Sequence, residues 1–260
     1  MNRIDQLFQE KRKEVLTIYF TAGYPQLNDT VSIIKSLSTY GADLIEVGMP
    51  YSDPLADGPV IQASSQKALE NGMNLDLLFQ QLAEVRMYTQ IPLVLMGYYN
   101  QVLQYGIENF CKIASSVGVD GLILPDLPLE EFYSMCKPTF DQYGLTCTFL
   151  VTPSSTDERI KELDQASSGF LYAVSSHSIT GGSAASQLDD YGGKLANLNL
   201  KNPVQVGFGI HDNISFLNAC SIANGGIIGS AFIKALAQSG ELETNIKSFI
   251  HGVISRPSNN

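Results

Sequence analysis

Leu44-Ile45-Glu46-Val47-Gly48-Met49-Pro50-Tyr51-Ser52-Asp53-Pro54-Leu55-Ala56-Asp57-Gly58-Pro59 is an apolar run interrupted by one acid, followed by a turn-rich loop that carries two more. The apolar part reads as a strand. An ionised carboxylate in such a strand is costly to desolvate unless it is paired or used, so Glu46 reads as a functional residue. Side chains alternate along a strand, so Leu44, Glu46 and Gly48 share one face and Ile45, Val47 and Met49 the other. If such strands close into a barrel with helices outside, the greasier face meets the helices. Glu46 then points into the barrel near the mouth formed by the carboxyl ends of the strands. Pro50, Pro54 and Pro59 each fix φ and stiffen the loop, which holds Asp53 and Asp57 over that mouth. Asp is also a common turn former, and the loop acids alone leave both readings open.

Outward from this stretch, strand and helix patterns alternate. Ile4, Leu7 and Phe8 mark a short amphipathic helix ahead of the first strand, placed to plug the amino end of a barrel. The first strand, 15–22, ends at Gly23-Tyr24-Pro25. Asn28 or Asp29 caps a helix with apolar positions Val31, Ile33, Ile34 and Leu37 that stops near Gly41. Beyond the Glu46 strand come helical patterns over 60–71 and 75–88, then strand 92–96, helix 102–117, strand 121–124 and helix 129–143. Strand 146–151, helix 156–166, strand 170–174 and a helix within 185–198 continue the pattern, followed by strand 204–208, helix 213–220, strand 226–228 and a terminal helix over 241–254. Eight strands, each followed by helical sequence with no linker-like composition shift, predict one (β/α)8 TIM barrel domain over 1–260 with an extra N-terminal helix. The rival, an open doubly wound sheet, usually carries a G-x-G-x-x-G turn after its first strand, and here that turn is Gly23-Tyr24-Pro25.

The chain has 260 residues, close to the ~250 of a typical barrel, and its 44% hydrophobic content suits a substantial core. No apolar run is long enough to span a bilayer and the first residues are too charged for a signal peptide, so a cytoplasmic protein is expected. Cys111, Cys136, Cys147 and Cys220 show no C-x-x-C spacing, and His177, His211 and His251 form no paired motif. Neither a disulfide framework nor a metal site is expected. A net charge of −10 argues against nucleic acid and anionic membrane as partners. A phosphate-bearing ligand would have to be caught locally by backbone N–H groups.

Val206-Gly207-Phe208-Gly209-Ile210 and Ile228-Gly229-Ser230 are glycine turns at the ends of the seventh and eighth strands, where barrel enzymes commonly hold phosphate. After the sixth strand, Ser175-Ser176-His177-Ser178-Ile179-Thr180-Gly181-Gly182-Ser183 reads either as a lid that orders over substrate or as a flexible surface loop. His177 in it is more simply an incidental histidine than a base.

Four stretches carry a family resemblance: the Glu46 strand with Pro50 to Pro59, Phe20-Thr21-Ala22-Gly23-Tyr24-Pro25, Leu95-Met96-Gly97-Tyr98-Tyr99-Asn100, and Leu124-Pro125-Asp126-Leu127-Pro128. Together with Gly207-Phe208-Gly209 and Gly229-Ser230-Ala231 they resemble the tryptophan synthase α subunit family, from about Ile4 to Ile254. The resemblance implies a lyase that splits indole-3-glycerol phosphate into indole and glyceraldehyde 3-phosphate. It implies that Glu46 is the main acid/base residue and that Asp57 holds the indole N–H. Phe20, Met96 and Ile123 would form the apolar slot for the ring, although as bare apolar residues they could equally be core. Tyr172 would line the site, Thr180 and Gly181 would form the lid that closes on Asp57, and Gly181, Gly209, Gly229 and Ser230 would surround the phosphate. By the same resemblance this chain carries no cofactor. Its partner would be a PLP-dependent β subunit in an α2β2 tetramer, docked against the loops around 53–57, 98–100 and 126–128. The family often has Arg where His177 stands, which bears on lid motion. Another phosphate-binding barrel enzyme, such as an indole-glycerol-phosphate synthase or a sugar-phosphate isomerase, and a mainly partner-activating subunit are the competing readings. Glu46 and Asp57 together argue against the second of these.

Overall fold

The computed structural model describes residues 1–54, 57–174 and 184–255. Nine strand segments make one parallel sheet: β1 (Val15–Thr21), β2 (Leu44–Gly48), β3 (Leu93–Met96), β4 (Gly121–Ile123), β5 (Thr146–Thr148), β6 (Leu150–Val151), β7 (Leu171–Ala173), β8 (Val204–Val206) and β9 (Gly225–Ile228). Their order is β5-β4-β3-β2-β1-β9-β8-β7-β6. The two edge segments are successive pieces of one stretch of chain, so the sheet curls into the predicted (β/α)8 barrel. The expected strand 146–151 is thus two pieces that meet at Phe149. Its first piece pairs with β4 and its second with β7. Across this seam the hydroxyls of Ser168 and Ser167 accept from the N–H groups of Cys147 and Phe149 at 3.0 and 3.1 Å, and Tyr172 N donates to Phe149 O at 3.0 Å. Backbone groups that the ladder leaves unpaired are satisfied there by side chains.

Every residue of β1 and β2 is buried, as expected for parallel strands covered by helices on one face and the barrel interior on the other. The N-terminal helix, Arg3–Glu10, is capped by Asn2, whose side chain accepts from Ile4 N at 2.9 Å. Its Ile4 packs against Gly121 and Gly169, and Phe8 lies 6.1 Å from Phe170, so the helix closes the amino end as predicted. The helix after β1 starts behind Asn28 and ends at Gly41, whose φ of 109° is the left-handed C-cap geometry.

Three helical expectations need correction. The pattern over 102–117 is two helices, Tyr99–Tyr105 and Ile107–Ser116, broken at Gly106 with φ 85°. The pattern over 129–143 has a π-type turn, Phe132–Cys136, in its middle. Helix Ser230–Leu236 lies between β9 and the terminal helix Leu242–Ile254 and was not anticipated. The four cysteines are free and buried. Among the described residues, no helix is long and apolar enough to cross a membrane, and no group of three or more His, Cys, Asp or Glu could hold a metal ion.

Candidate active site

Strand register decides which side chains face the interior. Tyr19, Glu46 and Val94 pair across β1, β2 and β3, and the next inward level is Thr21, Gly48, Met96, Ile123 and Thr148. Thr17 and Gln205 confirm the parity: they lie on strands that are not neighbours, yet hydrogen-bond at 2.7 Å. Glu46 therefore points into the barrel, as predicted from its strand. It is fully buried, and neither carboxyl oxygen has a hydrogen-bond partner among the described residues. Desolvation, reinforced by the charge of Asp57, pushes its pKa up to about 8.

Asp57 sits above it at the mouth, partly buried. Its main-chain N–H donates to Pro54 O at 3.1 Å and its carbonyl accepts from Gln62 at 2.9 Å, on the helix Pro59–Glu70 that Pro59 opens. The Tyr98 hydroxyl donates to Oδ2 at 3.2 Å. Desolvation raises the Asp57 pKa to about 6, and the Tyr98 bond works against that rise. Between about pH 6 and 8 one acid keeps its proton while the other is charged. Burial raises both, and Asp57 is the more readily ionised of the two. Asp53, by contrast, is exposed and accepts from Ser52 at 2.6 Å. It behaves as a turn residue.

A cavity of about 450 Å³ opens beside these acids, with Asp57, Met96, Tyr172, Phe208, Gly209 and Ser230 in its wall. Tyr172 and Tyr19 occupy matching places. Each ring lies over a glycine of the neighbouring strand, Gly207 and Gly48, where any Cβ would overlap the tyrosine. Gly229 has the Tyr19 ring and Ile61 around the position its Cβ would take. Gly209 has φ +69°, which frees its backbone to turn toward the cavity.

Of the expected apolar slot, Met96 lines the cavity and Ile123 shares its inward level. Phe20 does not. It pairs with Val47 and shares the face of Ile18, on the helix-facing side of β1, while its neighbour Tyr19 faces the interior. The strand is buried on both faces, so burial alone could not separate them, but Thr17, Tyr19 and Thr21 alternate with Leu16, Ile18 and Phe20 and carried the signal. Tyr98, expected only in a loop of the docking face, is also the hydroxyl partner of Asp57. Thr180 and Gly181, with the lid around His177, lie outside the described residues.

The three loops expected to form one face are tied together. Tyr51 stacks on Tyr98 with centroids 5.0 Å apart, Asn100 donates to the Tyr51 hydroxyl at 3.0 Å, Gln101 donates to Pro50 O at 3.1 Å, and Tyr99 N donates to Asp126 at 2.8 Å.

A buried acid on the inward face of a barrel, with a second acid in the wall of a ligand-sized cavity at its mouth, is the arrangement of a (β/α)8-barrel protein with an enclosed small-molecule site. The family model described as "Tryptophan synthase alpha chain" matches residues 5–253. The tryptophan synthase alpha chain of Flavobacterium psychrophilum is 53% identical over 92% of this chain and 95% of its own, and that of Christiangramia forsetii is 51% identical over 97% and 98%. Among solved structures, the alpha subunit of tryptophan synthase from Legionella pneumophila superposes with a TM-score of 0.88 at 32% identity, covering 97% of both chains. A chain of tryptophan synthase from M. tuberculosis gives 0.84 at 31%, covering 97% of this chain and 100% of that one. This chain belongs to the tryptophan synthase alpha chain family, and so to the lyases of tryptophan biosynthesis.

Proposed function

We propose that this chain cleaves indole-3-glycerol phosphate, with Glu46 moving protons at carbon and oxygen and Asp57 serving the ring nitrogen. One observation carries the assignment: the only acid on the inward face of β2 is fully buried without a hydrogen-bond partner among the described residues, beside a second acid whose pKa lies lower. Breaking a bond to an aromatic carbon needs a proton delivered to that carbon, and an acid with a pKa near neutrality suits the task. The protonated Glu46 gives its proton to indole C3 while the Asp57 carboxylate takes the proton of N1, forming the indolenine. Glu46, now a carboxylate, accepts the proton of the hydroxyl on the adjoining side-chain carbon. That carbon becomes the aldehyde, the C–C electron pair returns to the ring, and N1 recovers its proton from Asp57. Both acids end as they began.

Met96 and Ile123 support the ring, and Tyr172 closes the inner wall. The backbone at Gly209 and Gly229 with the Ser230 hydroxyl holds the phosphate, joined by Gly181, and Thr180 meets Asp57 on closure. The partner is a PLP-bearing β subunit in an α2β2 tetramer, seated on the face that carries Tyr51, Tyr98, Asn100 and Asp126. This chain holds no cofactor of its own. The decisive assay is indole release from indole-3-glycerol phosphate by the purified chain, with and without a β subunit. Wild-type cleavage abolished in Glu46→Gln is the expected result, and unchanged turnover in that variant would remove the assignment.

A further inference from the structure

Tyr19 is the interior side chain opposite Glu46 on the next strand, and only 5% of it is exposed. Its ring packs toward Gly229 and its hydroxyl lies over Gly48, so it spans the distance between the turn that ends β9 and the two acids. In the reading above, those two places hold the phosphate and the reacting ring carbon of the substrate. The three-carbon chain that joins phosphate to ring has to pass Tyr19.

A short chain of hydroxyls lies beside Tyr19. Ser64 donates to Ile61 O at 2.8 Å, the Thr21 hydroxyl lies 2.6 Å from that of Ser64, and the Tyr19 hydroxyl is 3.4 Å from Thr21. That last contact is long, so the Tyr19 hydroxyl keeps hydrogen-bonding capacity for a ligand. Burial and the nearby charge of Asp57 raise the pKa of this phenol, so it keeps its proton throughout the working pH range.

We propose that Tyr19 is a further positioning residue of this site, its hydroxyl sharing a hydrogen bond with the hydroxyl on the middle carbon of the substrate's chain. The hydroxyl next to the ring is the one Glu46 deprotonates, and the third carbon carries phosphate, so the middle hydroxyl is the one left for Tyr19. Holding it fixes rotation of the chain and aims the scissile bond at Glu46. The inference rests on the lyase reading above.

The test compares indole release from indole-3-glycerol phosphate and from its analogue lacking the middle hydroxyl, using the chain with its β subunit. Tyr19→Phe is expected to lose roughly 3- to 10-fold in kcat/KM on the full substrate, the worth of one neutral hydrogen bond, and nothing on the analogue. Thr21→Val keeps the ring and its oxygen but removes the hydroxyl beside it that orients the phenol. Its preference for the full substrate is expected to fall as well, and it serves as the second probe should Tyr19→Phe fold poorly. Equal losses on both substrates, leaving the preference unchanged, would mean that Tyr19 only supports the wall and would overturn the proposal. A wild-type chain that cleaves neither substrate would overturn the lyase reading, and this inference would fall with it.

Discussion

Glu46 in β2 is fully buried with neither carboxyl oxygen bonded among the described residues, whereas Asp120, just ahead of β4 and 3% exposed, has both oxygens occupied. Arg3 and Arg86 reach Asp120 at 2.9 Å each, and Leu93 N donates to it at 2.9 Å. Arg86 also donates to Ile91 O at 2.6 Å, so one cluster joins the N-terminal helix, the approach to β3 and the approach to β4. Both acids are sequestered by the same barrel, at opposite ends. At the amino end the charge is met on every side and holds elements together. At the carboxyl end it is left unmet, which costs stability and leaves a proton available for chemistry. Burial of an acid thus tells little until its partners are counted.

The largest effect that tests this contrast is on turnover. Glu46→Gln keeps shape and burial but cannot exchange a proton, and indole release is expected to drop by about 10²- to 10⁴-fold. Binding of a substrate analogue, followed by calorimetry, should stay near wild type. A variant that binds and cleaves normally would place Glu46 in the same class as Asp120.

The same substitution should act on stability with the opposite sign. Glu46 has a folded pKa of about 8 against an ordinary 4.5, so between those values the folded chain holds a proton that the unfolded chain releases. The folded state then binds more protons, and stability falls as pH rises through that window. Asp57 adds a smaller decline between about 4 and 6. Glu46→Gln removes the larger decline. It should be more stable than wild type above pH 8 by on the order of 3–5 kcal/mol, with the advantage shrinking to nothing near pH 4.5. Urea unfolding across pH 4.5–9 measures the difference, and parallel curves for the two proteins would contradict it.

Asp120→Asn reverses the pattern. Two guanidinium groups lose their shared carboxylate, and a loss of about 3 kcal/mol in unfolding free energy is expected, with indole release per folded molecule unchanged. Arg3 is itself partly exposed and can turn to water, which holds the cost to the low end for a broken buried pair.

How much of this contrast could be read in advance follows from chain periodicity. The Glu46 assignment needed only the alternation of a short strand and the cost of a buried acid. Gly41 announced its helix end through its φ preference and Asn28 marked the start of the same helix, and the glycines after β8 and β9 marked strand ends. What failed did so where two physical descriptions give the same string. A strand buried on both faces hides its inward side, and the resemblance puts Phe20 in the slot although the Thr17, Tyr19, Thr21 alternation points to Tyr19. Gly106 within an apolar helical pattern does not say whether the chain bends or breaks. Nothing in the sequence singles out Asp120, because Arg3 and Arg86 are 117 and 34 residues away in sequence and only barrel closure brings them to it. The division of a strand at Phe149 likewise depends on where the ring of strands has to close.

The smallest effect concerns how Asp57 differs from Glu46 within the working end itself. Both carboxyls are raised by desolvation, but among the described residues only Asp57 receives a hydroxyl, from Tyr98 at 3.2 Å, and that bond favours its charged form. Removing the hydroxyl in Tyr98→Phe keeps the stack on Tyr51 and takes away about 1 kcal/mol of support for the carboxylate. The Asp57 pKa then rises from about 6 toward that of Glu46, narrowing the interval in which one acid is protonated and the other charged. The pH profile of kcat/KM is expected to be bell-shaped in wild type, with limbs near 6 and 8, and to keep its alkaline limb in Tyr98→Phe while its acid limb moves upward. Turnover at pH 7 should fall a few-fold and recover on approach to pH 8. A uniform loss at every pH would mean that Tyr98 acts through loop packing alone, and the inequality between the two acids would then come from burial, without help from the hydroxyl.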